Sequence, residues 1–282
     1  MPKPKPVRSR RRPKPQPRKE AGLLERLHDH LDRLGLKELD GSLETHLAWA
    51  HEHGPDALVL LERVFGEAAQ YVRQRRVERR IDLCGLRVRK TLEAFDWAFQ
   101  PKLNRSFVES LATLAFVDNH DDLLITGKSG TGKSHILQAL ALRACERELR
   151  VCYTRCVDLI DDLYAGLADQ TYERRLRKWA RAEWLVIDDV GLGQLRRRDD
   201  EPTAAHMLFN LLDSRHEQAP TALTSNIKLG EWGKYLGDAT LAAAILDRFA
   251  MTAIRIDIDG PSYRDYLAKR RAKDHGIVDA DA

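Results

Sequence analysis

The chain has 282 residues, 43% of them hydrophobic, with 47 Lys and Arg against 43 Asp and Glu and a formal net charge of +4. That is enough apolar material for one large or two modest cored domains. No apolar run reaches the roughly 18 residues that a membrane-spanning helix needs, and the basic N-terminus lacks the apolar stretch of a secretory signal.

The charge is unevenly spread. Residues 1–19 hold nine Lys and Arg and no acid, which leaves the rest of the chain at −5. Six prolines alternate with these cations, removing backbone donors while like charges repel. Residues 1–20 are therefore expected to form a disordered arm, read either as a solubilising tail or as a segment that tracks phosphates.

From 21 to about 100 the apolar residues recur at helical spacing. Leu23, Leu24, Leu27, Leu31 and Leu34 form one stripe, which Gly35 interrupts. Leu39, Leu43, Leu47 and Ala50 form a second, ending at Gly54-Pro55. A third starts at Asp56, a candidate N-cap, and runs through Leu60, Val64, Ala68 and Val72 into a basic block that includes Arg73, Arg76 and Arg80. The segment reads as a small all-helical domain, 21–102, with Arg73, Arg76 and Arg80 as candidate DNA contacts. The same arginines also fit an ordinary solvated face.

Beyond a linker at 99–104 the pattern changes. Short apolar runs at 122–126, 151–155, 184–188, 221–225 and 252–256 alternate with amphipathic helices. Nearly continuous apolar runs of this length indicate a parallel sheet buried on both faces. The expectation is an α/β domain over 103–274 with a parallel five-stranded sheet, and a tail at 275–282. Ligands of such sheets bind at the carboxyl ends of the strands.

The first strand runs straight into GKSGTGKS, residues 127–134, with a helix after it. This matches the phosphate-binding pattern in full and in the right context. Gly127, Gly130 and Gly132 let the backbone wrap phosphates. Lys128, Ser129, Thr131 and His135 complete the loop and the helix start, whose amides favour anions. Lys133 is placed to reach the β- and γ-phosphates of ATP or GTP, and Ser134 to ligate Mg²⁺. The third strand ends in Asp188-Asp189. Asp188 fits a second Mg²⁺ ligand, and Asp189 the carboxylate that polarises the attacking water. Thr224-Ser225-Asn226 closes the fourth strand; Asn226 is the preferred sensor of the γ-phosphate, the alternative being a turn cap. Arg248 precedes the last strand and reads as an arginine finger or as a local partner of Asp247. Arg174, Lys178 and Arg181 share one face of a helix before the third strand, a second candidate DNA surface or a solvated face. The cysteines, Cys84, Cys145, Cys152 and Cys156, form no CxxC pair; they read as reduced core thiols of a cytoplasmic protein rather than zinc ligands.

From about 90 to 270 the chain resembles the IstB-like helper ATPases of an insertion-sequence family, AAA+ proteins akin to the DnaC helicase loaders. The resemblance rests on KTLEAFDW (90–97), the P-loop, LVIDDVG, LFNLLDSRHE (208–217), TSNIKLGEWG (224–233), LAAAILDRF (241–249) and GPSYR (260–264). It implies an AAA+ fold, ATP with Mg²⁺, ATP-dependent self-assembly on DNA, and a partner transposase. It also places Arg248 in the finger segment and Arg264 at a second phosphate sensor. Three features depart from that pattern: the Pro-Arg arm, Ala250-Met251-Thr252 in place of histidines, and Asp189 in place of a frequent Glu. Three readings follow: a transposition helper acting on duplex DNA without sequence preference, a replicative helicase loader, and a nucleotide-gated scaffold with negligible hydrolysis.

Overall fold

The computed structural model describes residues 17–193, 195 and 202–274; residues 1–16 of the expected arm and the tail at 275–282 lie outside them. The chain divides into two compact units, Met1–Arg76 and Val77–Ala282.

The first unit is helical. Helix α1 spans Pro17–Arg33, so residues 17–20 are helical rather than part of the arm. Helix α2 spans Lys37–His53 and α3 spans Ala57–Cys84. Gly54 ends α2 in the left-handed conformation, its N–H bonded to the Ala50 carbonyl. Asp56 accepts the Val59 amide at 3.0 Å, capping α3 as its side chain suggested. Leu39 and Leu43 of α2 and Ala68 of α3 are buried. His46 is also buried, with Nε2 2.9 Å from a Glu67 carboxylate oxygen.

The division falls inside α3, well before the linker at 99–104 that the sequence marks. Its physical reason is packing. Ile81, Cys84, Leu92 and Phe95 are buried in one cluster with residues of helix α6 (Lys133–Glu146) and of the sheet. Gly85, at φ +91°, lies so close to strand β2 (Val151–Arg155) that a Cβ there would sit 2.5 Å from the Tyr153 carbonyl oxygen. Residues 77–102 thus belong to the second unit.

That unit continues through α4 (Arg105–Leu111), α5 (Ala115–Asp118), β1 (Leu123–Gly127), α6 (Lys133–Glu146), β2 (Val151–Arg155), α7 (Cys156–Ala168), α8 (Tyr172–Ala180) and β3 (Trp184–Val190). It ends with α9 (Ala204–Arg215), β4 (Thr221–Ser225), α10 (Trp232–Leu236), α11 (Ala239–Thr252), β5 (Ile254–Ile258) and α12 (Tyr263–Asp274). The five strands are all parallel, in the order β2-β3-β4-β1-β5. The β5 run starts two residues later than its apolar pattern indicated.

Alternation along each strand sorts side chains between two cores. Leu123, Ile125, Val186 and Ile256 face α6 and the 81–117 segment. Leu124, Leu185, Ile187 and Leu223 face α7, α9 and α11. The parallel register places every strand's carboxyl end on one edge. On that edge the β3–β4 ladder is interrupted between Ile187 and Val190, and Asp189 adopts φ +60°. All four cysteines are free thiols.

One buried cation locks the opposite edge. Arg215, 1% exposed, donates to the carbonyls of Trp179, Ala180 and Ala182 at 2.8–3.2 Å, to the Pro220 carbonyl at 2.6 Å and to the Thr221 hydroxyl at 3.0 Å. Arg215 thus bonds the last two carbonyls of α8 and that of Ala182 just beyond it, at a helix end that leaves carbonyls in need of donors. Burial pulls Arg215 down to about 10, so it stays charged at neutral pH. Arg215→Met should remove these buried hydrogen bonds and lower the unfolding free energy by about 3 kcal/mol. Urea unfolding of the nucleotide-free protein checks this; a loss below about 1 kcal/mol would contradict it.

Candidate functional site

The carboxyl edge opens onto a cavity of about 540 Å³, lined by Gly130 to His135, Asn226, Arg264 and residues of the 90–100 segment. The loop leaving β1 curls back on itself. Gly132, at φ +103°, meets the ring of Phe95: a Cβ there would sit 2.6 Å from Cε2. Gly127 passes the Ile258 carbonyl equally closely. Lys128 and Ser129 form the exposed crest of the loop. The crest contributes through its backbone, because the Lys128 carbonyl accepts the Thr131 hydroxyl at 2.9 Å and Lys133 Nζ at 2.8 Å.

Lys133 is 3% exposed. Burial holds its ammonium below the usual lysine range, while the Asp189 and Asp188 carboxylates oppose that shift. A buried ammonium whose Nζ bonds a loop carbonyl is suited to anionic oxygens entering the cavity. His135 lies beside it, Nε2 2.8 Å from the Thr91 carbonyl oxygen and ring edge against Phe95 at 5.2 Å. Burial lowers its pKa below the usual 6.5, so it is neutral near pH 7.

The acids of β3 play different parts. Asp188 is 3% exposed. Its Oδ1 accepts from the Ser134 hydroxyl and from the Asp189 amide, each at 3.0 Å, and from the Thr224 hydroxyl. Its Oδ2 accepts from the Tyr153 hydroxyl. Asp189 is half-buried, and Asn226 donates to its Oδ1 at 2.9 Å. Within Thr224-Ser225-Asn226 the work is divided: Thr224 serves Asp188, Ser225 bonds the Ile227 carbonyl, and Asn226 reaches the cavity. The Ser134–Asp188 pair and the neighbouring glycine cradle fit a nucleotide with its divalent cation, for which Ser134 and Asp188 offer two adjacent oxygens.

Arg264 lines the same cavity. It is held there because the amide of its neighbour Tyr263 donates to the Gly130 carbonyl at 2.9 Å. No chemical motif in the sequence marked the aromatic side of the cavity. Phe95, Phe99, Gln100 and Tyr263 line it, with Phe99 and Tyr263 edge to face at 5.0 Å. The aromatic spacing of EAFDWAFQ was the available signal.

Arg248 lies elsewhere. It pairs with Asp213, not Asp247, and stacks 4.8 Å above the Phe209 ring. Its neighbours across a small cleft include Asp122 and Thr221, which open β1 and β4, so it sits on the amino edge of the sheet. Arg174, Lys178 and Arg181 are exposed on α8 and at its C-cap. Arg175 faces inward to Asp162 and Asp169. On α3, Arg73 and Arg76 are exposed at the end of the first unit, whereas Arg80 is half-buried in the second.

Sheet order, P-loop, acids at the end of β3 and a polar residue at the end of β4 together define a P-loop nucleotide-binding domain of the AAA+ class. The fold agrees with solved structures: a DNA replication initiation factor (TM-score 0.52, 21% identity, 69% of this chain and 57% of that one) and AMPPCP-bound DnaA from Aquifex aeolicus (TM-score 0.51, 21% identity, 70% and 59%). The chain belongs to the IstB-like ATP binding protein family, which it matches over residues 29–272. Its relatives include proteins named as ATP-binding proteins of insertion sequences. That of IS5376 from Geobacillus stearothermophilus is 31% identical over 85% of this chain and 94% of its own length. That of IS21 from Pseudomonas aeruginosa is 37% identical over 71% and 73%. No helix among the described residues is long and apolar enough to cross a membrane.

Lys133→Ala removes a charge-assisted contact of about 1.5–3 kcal/mol. Affinity for a fluorescent ATP analogue should fall roughly tenfold to a hundredfold while the circular dichroism spectrum is unchanged. Undiminished affinity would contradict the assignment of this cavity.

Proposed function

We propose that the chain is an ATP-hydrolysing, DNA-binding protein that assembles on duplex DNA and delivers it to, or stimulates, a partner transposase. The observation that carries this reading is the distribution of its functional groups between two edges of one sheet. The carboxyl edge holds Lys133, Ser134, Asp188, Asp189, Asn226 and Arg264 around one cavity. Arg248 sits on the amino edge, a strand's length of roughly 15 Å away. That separation exceeds the span of an arginine side chain. A second copy docked edge to edge would bring its Arg248 to this cavity, so the arrangement favours a site completed by assembly.

In this reading Lys133 and the loop amides hold the β- and γ-phosphates of ATP. Ser134 and Asp188 would hold Mg²⁺, which would supply positive charge to neutralise the phosphate oxygens. Asp189, oriented by Asn226, aligns the water whose oxygen attacks the γ-phosphorus as the bond to the bridging oxygen breaks and ADP leaves. Asp has one methylene less than Glu to reach that water. Arg264 contacts phosphate within its own subunit. The DNA surfaces are Arg174, Lys178 and Arg181 on α8, and Arg73, Arg76 and Arg80 on α3. These are cations of the kind that contact backbone phosphates without reading sequence. The insertion-sequence origin of the relatives supports a transposase as the partner.

Mixed assemblies test the shared site. Arg248→Ala should bind ATP but hydrolyse it about a thousandfold more slowly. Mixing it with Lys133→Ala should restore part of the turnover, since some interfaces then combine an intact cavity with an intact arginine. Failure to recover in verified mixed oligomers would place Arg248 outside the reaction.

A further inference from the structure

The carboxylate at the centre of the site receives a hydrogen bond that the P-loop and the end of β3 do not account for. Asp188 Oδ1 has three donors, all from residues that a nucleotide site would use or that adjoin one. Oδ2 has one donor among the described residues, the hydroxyl of Tyr153. Tyr153 stands on β2 opposite Val186, two residues before Asp188 on β3. Alternation puts Val186 and Asp188 on the same face of the sheet, so the phenol ring runs along that face toward the carboxyl edge and ends at the carboxylate.

The hydroxyl is itself backed from α6. Gln138 Nε2 lies 3.5 Å from it, a long contact. Ser134 and Gln138 are one helical turn apart and so share a face. Gln138, Tyr153, Asp188 and Ser134 therefore form a chain of polar contacts that leaves α6, crosses β2 and β3 and returns to α6. The rest of the tyrosine is packing: the residue is 9% exposed and belongs to the core beside Ile136, Leu137 and Val186. A phenylalanine would fill that space, so the hydroxyl is the part that acts on Asp188.

We infer that Tyr153 is a positioning residue for Mg²⁺: its hydroxyl fixes the rotation of the Asp188 carboxylate so that Oδ1 stays beside Ser134. This rests on the ATPase reading above and adds a residue outside its known motifs. Without the hydroxyl, Oδ2 is a buried acceptor with no partner among the described residues. The carboxylate is then free to rotate toward other donors, and the oxygens beside Ser134 lose their fixed geometry. Residues that orient metal ligands in this way typically change metal affinity about tenfold to a hundredfold when removed.

The test compares the full-length chain with Tyr153→Phe, following binding of a fluorescent ATP analogue as Mg²⁺ is titrated. In EDTA the two proteins should bind the analogue equally, which also shows that the variant is folded. The Mg²⁺ concentration at half-effect should be about tenfold higher in Tyr153→Phe. An equal or lower midpoint in the variant, beside a normal wild-type titration, would overturn the role of Tyr153 alone. A wild-type titration with no response to Mg²⁺ would overturn the metal assignment of Ser134 and Asp188, and this inference with it.

Discussion

A carboxylate that is 3% exposed is costly to keep charged unless donors surround it. Asp188 meets that condition with hydroxyls from α6, β2 and β4 and with the next amide of its own strand. Its position requires β3 to lie between β2 and β4, as it does, and requires the P-loop helix to begin directly above the sheet's carboxyl edge. The interruption of the β3–β4 ladder follows from the same site. The Asp189 amide turns away from β4's backbone to the Thr224 hydroxyl at 2.8 Å, and φ +60° at Asp189 aims its own carboxylate toward Asn226. One buried carboxylate thus joins three neighbouring strands, a local backbone strain and the orientation of the second acid.

Parallel strands give the domain two chemically different edges. The carboxyl edge collects loop amides, two acids and Lys133. The amino edge collects Arg215, bound to the last carbonyls of α8, and Arg248, bound to Asp213. Both arginines are attached to α9 or its partners, since Asp213, Arg215 and Phe209 all lie on that helix. The outward cations of α8 are therefore anchored to the edge that carries Arg248.

The parts that were legible in the sequence are those whose signal is local. The P-loop is contiguous, the parallel strands are short apolar runs, and Asp188-Asp189 ends one of them; each was readable from neighbouring residues. Two strand positions matched their apolar runs end to end, at 151–155 and 221–225. What escaped depends on packing between distant segments. The helical periodicity of α3 continues through Arg76 without a break, so nothing local marks the division there. Ile81, Cys84 and Phe95 declare their membership only by lying against α6. Tyr153 and Thr224 come from strands 35 and 36 residues away from Asp188 in the chain. Asp213 rather than Asp247 pairs with Arg248 because adjacent residues on a helix point apart, while α9 and α11 pack side by side in the same core.

Electron microscopy of the full-length chain with duplex DNA and a non-hydrolysable ATP analogue tests the central claim most directly, that the nucleotide site is completed between copies on DNA. The account predicts an ordered assembly in which Arg248 of one subunit has left Asp213 and faces the nucleotide held by Lys133 of the next, with α8 turned toward the duplex. Isolated copies with the analogue bound, Arg248 still on Asp213 and no DNA attached would contradict it.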